Sequence, residues 1–286
     1  LRWQLFFYEL FEPIMWTLNL IGAGRVGQTL GRLFQATGVF ELQGVLTRTA
    51  DTARQAVAFI GAGQACTTLT ELPAADVWLL AVPDAHIAAT AQALAARPVA
   101  QRPALAFHCS GALACDQLQA LRDMGWQVAS AHPLLSFARP ELALTQFAGT
   151  PCALEGNAEA LQPLDSAFTR IGAQCFTVAA QDKLLYHAAA VFATNFLPVL
   201  QDTAERLWQH SGMPPALIEQ MRSTLLRNAV NNIVALGPKA ALTGPAARGD
   251  LALVTAQAQA VAQWDTQAGV AYQALSQLAG QLAQRA

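Results

Sequence analysis

Trp16-Thr-Leu-Asn-Leu-Ile-Gly-Ala-Gly-Arg-Val-Gly27 is the stretch that decides the fold. Leu18, Leu20 and Ile21 read as a short buried strand, and Val26, Leu30, Leu33 and Phe34 recur at helical spacing just after it. Gly22, Gly24 and Gly27 complete a G-x-G-x-x-G turn between the two. The first glycine allows a tight turn and the second lets a pyrophosphate approach the backbone. The third lets the helix pack closely on the strand, and the phosphate charge rests on the helix N-terminus. A second strand, Phe40 to Leu46, follows, so the context of a dinucleotide-binding turn is complete. The alternative is a glycine turn without a ligand. The cofactor contacts expected here are Gly22, Ala23, Gly24, Arg25, Val26 and Gly27.

The end of the second strand speaks to which dinucleotide. An NAD site places a carboxylate there to accept the ribose 2′-hydroxyl. Here the residues are Thr47-Arg48-Thr49, and Glu41 stands at the wrong end of the strand. A guanidinium fork suits a 2′-phosphate, so NADP is expected, held by Arg48 and Thr49 with Arg25 in support. The competing reading of Arg48 is an ordinary solvated loop arginine.

A chain of 286 residues accommodates two domains with cores of their own. Hydrophobic content of 53% against 13% charged residues excludes a disordered chain. The net charge of -2 and the lack of a basic run give no reason to expect nucleic acid or an anionic membrane. Five cysteines with no C-x-x-C spacing and no secretion signal read as reduced thiols of a cytoplasmic protein. The histidines lack ligand spacing, so no metal is expected. The most apolar window, Tyr186 to Leu200, reads as too short and too polar for a bilayer span. Leu1 to Ile14 mixes Phe6, Phe7, Tyr8 and Phe11 with Glu9 and Glu12, which is not a signal-peptide core. Met15 is expected to be the natural start, the alternative being an amphipathic arm that packs on a partner.

Strands and helices alternate through the first part of the chain. Asp51 to Ile60 reads as a helix, Asp76 to Val82 as a strand covered on both faces, and Asp84 as the cap of a helix reaching Ala96. Ala104 to His108 and Trp126 to Ala131 are further strands, with shorter ones near Cys152–Leu154 and Cys175–Val178. The pattern predicts an α/β fold, a doubly wound and mostly parallel sheet over 15–180, then an all-α domain over 181–286. Ligands of such sheets bind beyond the carboxyl ends of the strands. Val82, Pro83, Ser110 and His132 fall there, as do the glycine turn and Arg48.

In the helical part, Lys183 and His187 are four residues apart and share a helix face. Asn195 lies beside the same stripe, and Pro198 predicts a kink at Thr194. A lysine, an imidazole and an amide so placed can orient and protonate a carbonyl or imine, which makes Lys183, His187 and Asn195 the catalytic candidates. The blander reading is a lysine at a helix start, a packed histidine and a satisfied asparagine. Thr243 and Arg248, in Leu242-Thr-Gly-Pro-Ala-Ala-Arg-Gly-Asp250, join His132 as candidates for holding substrate, Arg248 through a carboxylate. That stretch also reads as an interhelical turn with Asp250 as a cap. No G-x-S-x-G elbow supports a Ser–His hydrolase.

These residues carry a family resemblance running from about Met15 to the C-terminus. The chain resembles Rossmann-like proteins with a DUF2520 C-terminal domain, within the superfamily of 6-phosphogluconate dehydrogenase and pyrroline-5-carboxylate reductase. The resemblance rests on Gly22–Gly27, His108-Cys-Ser-Gly111, His132-Pro133, Tyr186-His187 with Asn195, and Leu242-Thr-Gly-Pro with Arg248-Gly-Asp250. It implies an NADP-dependent oxidoreductase whose helical domain supports a homodimer. Hydride would pass between the cofactor and a small carbonyl or imine compound bearing a carboxylate. A non-catalytic NADP-binding protein that kept the fold is the alternative. Two positions depart from the pattern. His187 stands where hydroxyacid dehydrogenases place asparagine, four residues after lysine, and Gln257 stands about where relatives carry a histidine.

Overall fold

The computed structural model describes residues 15–97 and 104–285, so the expectation about Leu1 to Ile14 lies outside the described residues. The chain divides into two compact units, Leu1–Thr194 and Asn195–Ala286. Residues 181–194 group with the first unit.

The first unit runs β1 (Thr17–Ile21), α1 (Arg25–Ala36), β2 (Glu41–Leu46), α2 (Ala50–Ile60), β3 (Gln64–Cys66), β4 (Val77–Leu80), α3 (Ile87–Ala95), β5 (Leu105–His108), α4 (Gln119–Arg122), β6 (Gln127–Pro133), α5 (Pro140–Gln146), β7 (Pro151–Gly156), α6 (Ala158–Arg170), β8 (Gln174–Thr177) and α7 (Lys183–Ala190). The strands form one eight-stranded sheet in the order β3-β2-β1-β4-β5-β6-β7-β8. Every neighbouring pair is parallel except β6 and β7. The chain leaves β1 in one direction along the sheet and returns to its other side at β4. That reversal opens a crevice at the carboxyl ends of β1 and β4.

The doubly wound form follows from the two-residue period of a strand. Val77 and Leu79 of β4, Leu105 and Phe107 of β5, and Ala129 and Ala131 of β6 enter the core under α1, α2 and α6. Trp78 and Leu80, Ala106 and Val128 point the opposite way, into a second core with α3 and α4. Both faces are covered, which is why these strands read as unbroken apolar runs. Phe168 of α6 packs edge-on against Phe34 of α1 at 5.5 Å and Phe107 of β5 at 6.0 Å, joining helix, sheet and helix.

The second unit holds α8 (Phe196–His210), α9 (Pro215–Ala241), α10 (Pro245–Arg248), α11 (Leu251–Trp264) and α12 (Thr266–Gln284). The C-terminal tail is two helices, because Asp265 leaves helical geometry and its carboxylate caps α12 at Ala268 N, 2.9 Å away. Within α9, Gly237 at φ 77° interrupts the helix just before Pro238. Arg206 of α8 lies 4.8 Å over the Trp264 ring, and Arg222 of α9 pairs with Glu205 of α8 at 3.1 Å. Gly269 lets α12 approach α11 so closely that a Cβ would stand 2.6 Å from Ala262. Much apolar surface stays uncovered, with Val234 81% and Leu251 73% exposed.

The helical run Ala180–His210 is 31 residues long with a best 18-residue mean hydropathy of 1.3, so its length does not exclude a bilayer span as the shorter window implied. Its start is nevertheless tied into the sheet unit through Lys183. The predicted kink also takes another form. The helix widens into a π turn over Val191–Asn195, one turn ahead of Pro198, whose missing N–H leaves the ladder incomplete.

Phe168→Ala should lower the unfolding free energy by about 3–5 kcal/mol, since it opens a cavity between two helices and the sheet. Denaturant titration measures this, and an unchanged midpoint would contradict the packing described.

Candidate functional site

The glycine turn is shaped by contacts on two of its glycines and by open space at the third. Gly22 has φ +86°, and a Cβ there would stand 2.6 Å from Ala81 O and 2.9 Å from Val82 Cγ1. At Gly27 a Cβ would meet Gly22 O at 2.5 Å, so the helix can sit this low on the turn only without a side chain. Gly24 has nothing within 4 Å of the same position. It precedes α1, whose N-terminus has no side-chain cap and no acidic residue in its first turn. An uncapped helix start beside bare backbone is suited to an anion. Gly22 N bonds Leu46 O and Ala81 N bonds Ile21 O, both at 2.8 Å, tying the turn to the ends of β2 and β4. Gln28 Nε2 bonds Ala23 O at 2.8 Å and braces the loop from α1.

Arg48 and Arg25 are both exposed. Thr49 is the N-cap of α2, accepting from Thr52 N at 3.3 Å, and Thr47 shares a 2.6 Å hydroxyl bond with Thr52. Beside Arg48 there is thus an ordered hydroxyl cluster with no carboxylate among Thr47, Arg48 and Thr49.

Beyond β4, β5 and β6 lies a denser polar cluster. Asp84 does not cap the helix as expected, and Pro83 holds that place before a 3-10 turn over Asp84–His86. The Asp84 carboxylate accepts the Ser110 hydroxyl at 2.8 Å instead. Ser110 Oγ in turn accepts from Ala112 N at 3.2 Å and Leu113 N at 2.9 Å. Its donor and both acceptor directions are engaged within the protein, so Ser110 shapes the loop. His108 is fully buried, with Nδ1 accepting from Ser110 N and Nε2 donating to Ala114 O at 3.0 Å. It is a brace of the same loop.

Lys183, expected in the reaction, is only 1% exposed. Its Nζ donates to Ser110 O at 3.1 Å and Ser130 Oγ at 2.6 Å. Burial lowers its pKa, opposed by the charges of Glu155, Cys115, Cys109 and Asp84. The ammonium clasps the ends of β5 and β6. The same helix brings Tyr186 and His187 to His132. Tyr186 Oη lies 2.9 Å from His132 Nδ1, and the His132 and His187 rings meet edge-on at 5.8 Å. Gly111 makes room for both, since a Cβ there would stand 2.8 Å from His132 Nε2 and 2.4 Å from His187 Cδ2. Burial first, then His187 and Lys183, press the His132 pKa down to about 4 against the pull of Asp84.

Lys183, His187, His132 and Ser110 thus gather with Val82 and Pro83 at the strand ends of the first unit. Asn195, Thr243 and Arg248 belong to the second. There, Gly244 at φ +102° and Gly249 at φ +75° bracket α10, and Asp250 caps α11 through Leu253 N at 3.1 Å. Thr243 and Arg248 are exposed. Sequence reasoning missed Tyr186 and Gly111 as site residues and misassigned Asp84. The adjacency of Tyr186 to His187 and the place of Gly111 at a strand end were the available signals. Among the described residues no group of three or more histidine, cysteine, aspartate or glutamate side chains is arranged to hold a metal ion. All five cysteines are free.

Residues 11–133 match the model of the Rossmann-like domain, and residues 150–279 match a domain of unknown function, DUF2520. The chain joins a Rossmann-like domain to a DUF2520 domain. No curated protein matches it. Among solved structures, protein TM1727 of Thermotoga maritima is 26% identical with a TM-score of 0.73, the match covering 93% of this chain and 98% of that one. The provisionally named NADP oxidoreductase BF3122 of Bacteroides fragilis is 22% identical with a TM-score of 0.74 and the same coverage. A pyrroline carboxylate reductase of Plasmodium falciparum, solved with NADP bound, is 11% identical over 93% of this chain and 98% of that one, with a TM-score of 0.58. At such identities the last two likenesses speak for the fold.

Between pH 6.5 and about 4 unfolded His132 binds a proton that the folded imidazole refuses. Stability is therefore full above pH 6.5 and falls on acidification through that window, by about 3 kcal/mol at most from this residue. Buried His108, whose pKa is also lowered, adds a loss of the same sign. Unfolding titrations from neutral to acid pH should show a shallower loss in His132→Gln than in the parent protein; parallel curves would contradict the assignment.

Proposed function

We propose that the protein is an NADP-dependent reductase of a small carbonyl or imine compound bearing a carboxylate. The observation that carries this reading is the glycine turn. Gly22 and Gly27 are forced by contacts, Gly24 is bare, and α1 opens without a cap at the reversal point of a doubly wound sheet. Gly22, Ala23, Gly24, Arg25, Val26 and Gly27 would hold the pyrophosphate, with Arg48 and Thr49 at the 2′-phosphate and Val82, Pro83 and the Ser110 loop toward the nicotinamide. The bound cofactor supplies hydride. The chain's own work is to orient the acceptor and manage a proton.

His187 and His132 stand together over Gly111, and imidazole is the side chain whose ordinary range suits proton transfer near neutral pH, the role assigned here to His187. Lys183, with its ammonium held by Ser110 O and Ser130 Oγ, acts as a positioning residue. Asn195, Thr243 and Arg248 are the proposed substrate contacts of the second unit, Arg248 for the carboxylate. One observation favours the rival reading of an NADP-binding protein without turnover: the ammonium expected to assist the reaction is committed to protein oxygens. Following NADPH oxidation against a panel of keto acids and cyclic imino acids separates the two. Cofactor binding with no turnover on any member would favour the rival.

NADPH should bind more tightly than NADH, and Arg48→Asp should weaken NADPH binding by roughly 1.5–3 kcal/mol, the worth of a charge-assisted phosphate contact. Fluorescence titration of both cofactors decides this, and equal affinities would overturn the NADP assignment.

We also propose a homodimer, because Val234, Leu236 and Leu251 of the helical unit are each at least 60% exposed and such apolar surface marks an interface. Sedimentation at micromolar concentration should give twice the 30.4 kDa chain mass. A monomer alone would contradict it.

A further inference from the structure

The Tyr186–His132 contact lies at the strand ends with Lys183 and His187, a phenol set directly against an imidazole. We propose that Tyr186 is a positioning residue: its hydroxyl donates to Nδ1 of His132 and locks that imidazole as the Nε2–H tautomer, presenting a neutral N–H donor to the reacting oxygen or nitrogen. What the N–H addresses rests on the reductase reading, whereas the tautomer does not.

The geometry carries the assignment. Tyr186 Oη and His132 Nδ1 are 2.9 Å apart with the rings edge-on at 5.6 Å. Phe176 closes another side of the tyrosine ring at 6.1 Å and offers no acceptor. A neutral phenol has one proton to give, and Nδ1 of His132 is the acceptor within reach. Burial, with a smaller push from Cys152, raises the Tyr186 pKa to about 12, so the phenol keeps that proton. A neutral imidazole that accepts at Nδ1 must carry its hydrogen on Nε2.

Nε2 has a different setting. Its edge of the ring lies over Gly111, where any side chain would collide with Cε1 and Nε2 at 2.8 Å. His132 is half-buried rather than sealed, so its ring keeps an open edge. The groups that bear on the ring are Tyr186, His187 and Lys183 from α7 and Asp84 from beyond β4. Burial, with His187 and Lys183 beside it, outweighs Asp84 and keeps the ring uncharged at neutral pH. A neutral N–H polarises a carbonyl or imine without transferring its own proton, and the tyrosine prevents the ring from turning a lone pair to the substrate instead.

The test is the tautomer itself, read on the full chain labelled with 15N-histidine. Long-range 1H–15N correlations of His132, assigned by their loss in His132→Gln, should show an unprotonated Nδ1 and a protonated Nε2, unchanged between about pH 5.5 and 8. In Tyr186→Phe the same signals should move toward a mixture of tautomers. A parent protein with hydrogen on Nδ1, or an imidazole that becomes charged near pH 6–7, overturns the proposal whether or not the variant folds. So does a Tyr186→Phe spectrum identical to the parent's. The measurement needs no substrate, so the expected tautomer in a protein without turnover supports this proposal while removing the reductase reading. With a substrate in hand, Tyr186→Phe should lower kcat about tenfold and leave the KM for NADPH unchanged.

Discussion

The polar end of the sheet depends on one buried ammonium. Taking a lysine head group out of water costs several kcal/mol unless its hydrogens are bonded. Lys183 is 1% exposed and finds Ser110 O and Ser130 Oγ, one beyond β5 and one on β6. Those bonds hold the two strands' ends in place and fix the first turn of α7. Tyr186 and His187 follow three and four residues after Lys183, on the face that Lys183 turns inward. They reach His132 and Gly111 because Lys183 has already chosen that face. A residue that looked reactive by type is thus the reason other residues can be.

Around this point the unit separates its forces by location. Side chains in the middle of β4, β5 and β6 alternate into two apolar cores, one joined by Phe34, Phe107 and Phe168 and the other by Trp78 and Trp126. Polar groups appear where those strands end, and they are paired with one another: Asp84 with Ser110, His108 with Ala114 O, Tyr186 with His132. The glycine turn on the other side of the crevice is different. Its backbone is tightly packed beneath Gly22 and Gly27 and bare at Gly24, leaving N–H groups of α1 without a side-chain cap. One side of the reversal point is a self-satisfied network and the other an unanswered demand for negative charge.

The helical unit has the opposite economy. Its polar bonds join helices to one another, as Arg222 does with Glu205 and Tyr272 with Gln257 at 2.7 Å, while large apolar side chains remain in water. Small residues such as Gly269 and Ala262 draw α11 and α12 together without burying much area. A unit with so little apolar surface removed from water has a weak hydrophobic driving force by itself, which is the physical ground for expecting a second copy to supply the rest.

Local chemistry made much of this legible in the sequence. A strand, three glycines and an apolar helix have one common geometry, and the continuous apolar run at Asp76–Val82 is typical of a strand covered on both faces. The sheet class, the glycine turn and the caps at Asp250 and the turns at Gly244 and Gly249 follow from residue type and spacing. What spacing could not supply was the partner of each polar group. Asp84 has the look of a helix cap, but a serine 26 positions away competes for its carboxylate. Lys183 and His187 share a helix face, yet only the packing of α7 on the sheet buries one and leaves the other partly open. Tyr186 acquires a role through a histidine 54 residues earlier in the chain, a contact that exists only after β6 and α7 are brought together. Sequence determines what each short stretch must do with its own backbone; which distant donor meets which acceptor is decided when the layers close.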